Sequence, residues 1–151
     1  MTLVDAAQIE SVGYDALGDV FTSVALRPGA AFTRIFLPED QGAFDETVSV
    51  RDGSLSAAQQ LTLPFEGLGS PCGLVASGSA GIIALVQSND GTVFMVGYSS
   101  RLGTECALRT ATMKTASKSK FEDTPSVTVV LAAASDEPAK QYVGPLEGLL
   151  I

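Results

Sequence analysis

Residues 44–65, FDETVSVRDGSLSAAQQLTLPF, alternate with a period of two on either side of Asp52-Gly53. In the first arm Phe44, Val48 and Val50 share one face, while Asp45, Thr47, Ser49 and Arg51 share the other. In the second arm Leu55, Ala57, Leu61, Leu63 and Phe65 alternate with polar or small residues. Successive side chains of a strand point to opposite faces, so the pattern predicts a half-buried antiparallel hairpin that turns at Asp-Gly.

The same signature recurs on both sides of this stretch. Residues 85–98, LVQSNDGTVFMVGY, are two apolar runs joined at Asn-Asp-Gly, a second hairpin. Val20–Leu26 reads as a strand closed by Arg27-Pro28-Gly29, a type II turn signal. Further strands are predicted at 31–37, at 105–112 with Cys106, Leu108 and Thr110 on one side, and at 126–133. A last edge is expected near 142–146. About eight short strands at turn-punctuated intervals predict a mainly β chain, an antiparallel β-sandwich or barrel. Ser70-Pro71, an N-cap followed by proline, predicts one short helix in the glycine-rich segment 67–81. Residues 1–17 are weakly periodic and read as an N-terminal arm, leaving 18–151 as a single β domain. Residues 113–125 read as a polar loop.

Composition bounds the function. Hydrophobic residues make up 46% of the 151 and charged residues 17%, against a usual charged share of about 25%. Apolar surface beyond what one fold needs implies burial against other subunits. The longest compact apolar run, 127–134, is strand-sized, well short of the ~20 residues that span a bilayer. The opening Met1-Thr2-Leu3-Val4-Asp5 lacks the basic head and apolar stretch of a signal peptide, which predicts a protein made in the cytosol. A formal charge of −8 argues against a dedicated nucleic-acid binder. An acidic surface still lets a polyanion slide past without adhering.

Reactive constellations are missing. The chain contains no histidine, so histidine-based nucleophilic triads are absent. Cys72 and Cys106 stand 34 residues apart outside any Cys-x-x-Cys pair and read as small buried hydrophobes. Asp45 and Glu46 are neighbours on a strand and point apart, and Glu122-Asp123 sits beside Lys118 and Lys120 in the polar loop. The segment 67–73 fits neither the dinucleotide fingerprint nor the phosphate loop. No catalytic, cofactor-binding or metal-binding residue is predicted.

The order of elements carries a resemblance. A charged hairpin at 44–65, a short connecting helix, FMVGY at 94–98 and FEDTPSVTVVLAA at 121–133 resemble small β-rich virion proteins of tailed phages, notably of the Bacteroidetes-phage type. The matching residues are 82–97 and 105–133, and the likeness spans 44–145. In size and β content the chain is similar to tail-tube proteins. The resemblance implies a virion subunit assembled in the host cytoplasm, without active site or cofactor. It would be a homo-oligomeric ring, six copies being one candidate count, that meets other virion proteins, has DNA as passing cargo and touches no membrane. The expected function is a tail-tube or tail-completion subunit. The alternatives are a capsid decoration or head–tail connector protein and, from another class, a ligand- or carbohydrate-binding β-sandwich, for whose ring stacking the chain offers no tryptophan and only Tyr14, Tyr98 and Tyr142. The expected assembly contacts are Phe44, Val48, Leu61, Leu63, Val127 and Val129 on the strands. Lys114, Lys118, Lys120 and Phe121 are expected to contribute from the loop.

Overall fold

The computed structural model describes residues 2–17, 19–34, 43–66, 81–116 and 126–146. The chain is mainly β and forms two sheets. Its strands are β1 (Thr2–Asp5), β2 (Ile9–Tyr14), β3 (Val20–Leu26), β4 (Thr33–Arg34), β5 (Ala43–Arg51) and β6 (Ser54–Glu66). They continue with β7 (Ile82–Gln87), β8 (Val93–Val96), β9 (Arg109–Ala116), β10 (Ser126–Ser135) and β11 (Lys140–Tyr142). Two single 3-10 turns, Ala6–Gln8 and Thr104–Cys106, are the helical pieces among the described residues. Among the described residues eleven strands stand where about eight were expected, and the segment proposed for a helix lies outside the described residues.

The seven-stranded sheet runs β2-β3-β11-β8-β7-β1-β4 and curls into a half-barrel; the four-stranded sheet runs β5-β6-β10-β9. Among the described residues all strand pairings are antiparallel except β11 with β3. Two apolar clusters explain the arrangement. Ile82 and Ala84 of β7, Leu3 of β1 and Val96 of β8 meet Leu61 and Leu63 of β6 and Val129 and Leu131 of β10, so this cluster joins the two sheets. The alternate residues Ile83, Leu85, Val4 and Met95 face a second cluster with Phe21, Phe32 and Tyr142, enclosed by the curl of the seven-stranded sheet itself. That sheet therefore buries both faces, which is why β7 reads Ile-Ile-Ala-Leu without alternation.

Both expected hairpins form. β5 and β6 pair Phe44 with Leu61, Val48 with Ala57 and Val50 with Leu55. Their two-residue turn has Asp52 at φ 49° and Gly53 at φ 78°, the positive pair that matches the strand twist in a type I′ turn. β7 and β8 pair Leu85 with Met95 and Gln87 with Val93. Their turn is closed by Ser88 N–H to Thr92 O at 2.8 Å and Gly91 N–H to Ser88 O at 3.0 Å. The Asp90 carboxylate accepts from the Ser88 hydroxyl and from Thr92 N–H, and these bonds, the hydroxyl first, hold it below its ordinary value of 3.8.

Four expectations are corrected. Residues 2–14 are not an arm: β1 sits between β7 and β4 with Leu3 and Val4 buried, and β2 pairs with β3. Residues 113–116 continue β9 as strand instead of opening a loop. Residues 104–106 are a 3-10 turn that buries Cys106, so the strand expected from 105 starts at Arg109. The late strand is β11, and it lies inside the sheet between β3 and β8 instead of at an edge. Cys72 lies outside the described residues.

Candidate functional site

The β5–β6 hairpin has a covered half and a bare half. Near its base Phe44 packs on the inter-sheet cluster, and Leu61 and Leu63 are fully buried in it. Ala57 and Gln59 are buried on the same row. Glu46 and Gln59 face each other across the ladder. Gln59 Nε2 donates to Glu46 Oε2 at 2.9 Å, and Ala139 N–H donates to the same oxygen at 2.7 Å. This carboxylate ties the hairpin to the crossover between β10 and β11. Gln59 Oε1 is buried without a hydrogen-bond partner.

Replacing Glu46 by alanine strands the Gln59 amide and the Ala139 N–H; each buried polar group left unpaired costs about 1–3 kcal/mol. Glu46→Gln keeps an acceptor oxygen and is expected to lose less. Thermal unfolding of the two variants checks this, and equal losses would contradict the tie.

Beyond Ala57 the hairpin is exposed on both faces, from Thr47 to Ser56. Val48, Val50 and Leu55 remain 45%, 68% and 40% accessible. They continue the row that is buried at the base, so the core-facing side of the hairpin runs out past the sheet that covers it. The opposite row carries exposed Asp45, Thr47, Ser49 and Arg51.

A second convergence of polar groups lies where the β10–β11 crossover meets the turn after β8. Ser99 Oγ donates to Asp136 Oδ1 at 2.6 Å and accepts from Arg101 and Leu102 N–H at 3.2 and 3.1 Å. Ser100 N–H and Oγ donate to Glu137 Oε1 at 2.7 and 3.0 Å. Lys140 Nζ pairs with Glu137 Oε2 at 3.0 Å and donates to Ser100 Oγ at 3.3 Å. The lysine is paired with the carboxylate, and the serine hydroxyl is spent on the same group, so the cluster clasps two loops together. Among the described residues no three His, Cys, Asp or Glu side chains converge as a metal ion requires. No helix among them is long and apolar enough to cross a membrane.

The aromatic rings are also engaged. Tyr98 stands edge-on to Phe21, with ring centroids 5.5 Å apart and planes at 79°. Tyr142 donates to Pro145 O at 3.0 Å. Burial holds both phenols above their ordinary value of 10.0, with charge repulsion from Tyr14 adding to the effect at Tyr98. A phenol whose pKa is raised by folding leaves stability intact below the unfolded value and drains it as pH rises through the folded one. The tyrosines are therefore expected to lower the melting temperature from about pH 10 upward. Tyr142→Phe should blunt that loss in a pH series of thermal melts.

Of the residues expected at assembly contacts, Val48 is exposed and Phe44 half-buried. Leu61, Leu63 and Val129 are corrected: they are fully buried in the chain's own core, because the seven-stranded sheet covers the row they share. Lys114 and Val127 lie on β9 and β10; Lys118, Lys120 and Phe121 lie outside the described residues. Val50 and Leu55, absent from that expectation, join Val48 in the bare strip. Counting by two from Leu61 would also have placed Gln59 in the inward row opposite Glu46. Compared with protein-family models, with curated proteins and with solved structures, the chain matches none.

Proposed function

We propose that this chain is a structural subunit of a tailed-phage virion, of the tail-tube or tail-completion kind, which works by joining copies of itself at the β5–β6 hairpin and the sheet edges. The observation that carries the reading is the bare half of that hairpin, with Val48, Val50 and Leu55 exposed in line with the core row. An apolar strip left open on a projecting element marks a contact surface. The polar clusters support a mechanical role, since their donors and acceptors are used to hold loops in place. The virion assignment draws on the resemblance of 82–97 and 105–133.

Sedimentation velocity of the wild type and of Val48→Asp/Val50→Asp, with electron microscopy of the purified protein, tests the reading. The wild type is expected to form higher species that the double variant loses, with its melting temperature nearly unchanged because both sites are exposed. A wild type that stays monomeric at high concentration and is missing from purified particles would overturn the proposal. Density on the shell of a particle, instead of in its tail, would make the chain a decoration protein.

A further inference from the structure

A strand at the end of a sheet offers unpaired N–H and C=O groups to another chain unless it is short, irregular or otherwise blocked. Four such edges are described here, and three are guarded. β4 is two residues long. β2 slips register against β3 at two places. β9 slips register against β10 between Val130 and Leu131, an irregularity that interrupts the ladder. β5 differs from all three. It has nine residues, no proline, and an unbroken ladder with β6 from Ala43 to Arg51. Among the described residues β6 is its one partner, and its far half is exposed on both faces.

We infer that the copy which covers β5 is another β5, antiparallel to it and related by a two-fold axis at Val48. This rests on the reading that copies meet at the hairpin. Its further support is the self-complementarity of the strand. An axis at Val48 sets Asp45 opposite Arg51 of the second copy, and Arg51 opposite its Asp45. Thr47 then faces Ser49 on the same outer row. Arg51 is the one cation of a hairpin that also carries Asp45, Glu46, Asp52 and Glu66, and this register gives it a carboxylate. Opposite charges directly across a ladder favour pairing, and like charges oppose it. On the inner row Val48 meets Val48, which covers part of the bare strip. Glu46 falls opposite Val50, with its carboxylate already turned to Gln59 and Ala139 N–H. A two-fold contact must be self-complementary in this way, residue i to j and j to i. The junction closes on itself, so larger bodies grow from pairs and contain an even number of copies.

The test uses the full chain. Val48→Cys places two thiols directly opposite on the axis, within disulfide reach, and oxidation is expected to give a covalent dimer and nothing larger on a non-reducing gel. Asp45→Arg and Arg51→Asp should each weaken self-association by about tenfold or more. The double exchange should restore it, and its recovery also shows that the single variants lost pairing and not folding. If the wild type associates while Val48→Cys stays uncrosslinked, or the double exchange stays dissociated, the two-fold pairing is wrong and the assembly reading stands. A head-to-tail junction of β5 on β9 would give that result. If the wild type never associates and Val48→Cys stays uncrosslinked, both fall together.

Discussion

Leu61→Ala is expected to cost about 2–5 kcal/mol, the range for emptying a fully packed leucine site. Leu61 has no accessible surface and stands in the cluster where β6 and β10 meet β1, β7 and β8. Its removal opens a void between two sheets that both press on it, and neither side is free to collapse inward while the β6 ladder to β5 and β10 holds. For a chain of this size each kcal/mol moves the melting temperature by about 2–4 °C, so a fall of about 5–15 °C in a thermal melt is the expected result. Val50→Ala, on the same face but 68% accessible, should stay within about 0.5 kcal/mol in the monomer. Similar losses at the two sites would mean that the hairpin base is not covered as described.

Gly97→Ala has the second large effect, and its cause is steric. Gly97 holds φ at 92°, a region that an alanine enters only with strain. A Cβ there would lie 2.8 Å from Ile82 O and 3.1 Å from Leu108 N. Those are backbone atoms of the bridge in which Ile82 and Leu108 exchange N–H···O bonds of 2.8 and 2.9 Å, so relief requires breaking the link that hands the chain from the seven-stranded sheet to β9. The expected loss is about 3 kcal/mol. Gly91→Ala separates strain from clash. It has φ at 90° with no atom near its Cβ position, and about 1 kcal/mol is expected. Denaturant unfolding of the pair decides, and equal losses would remove the steric part.

The β5–β6 hairpin was legible because its two arms alternate around Asp-Gly, and the β7–β8 hairpin, covered on both faces, because two strand-length apolar runs flank Asn-Asp-Gly. β1 was not, because Leu3 and Val4 are both buried, one toward each cluster. Alternation cannot mark a strand that has a core on both sides, so its absence there suggested an arm. Residues 113–116 misled in the opposite sense: Met-Lys-Thr-Ala at the end of an edge strand has the polarity of a loop. At the candidate site an apolar row looks the same whether the chain's own second sheet covers it or another copy does. Leu61, Leu63 and Val129 were therefore grouped with Val48. What divides them is how far the seven-stranded sheet reaches along the hairpin, a distance that local pattern does not encode.

The position of β11 governs how the chain must come together. It joins β3, residues 20–26, in parallel and β8, residues 93–96, antiparallel. Without it the seven-stranded sheet divides into a β2–β3 ribbon and a β8-β7-β1-β4 remainder. β3 and β8 therefore each keep one edge open until residues 140–142 dock between them. Folding that depends on such distant pairings is slow, and a chain cut before Lys140 is left with two sticky rims where the intact protein has a seam.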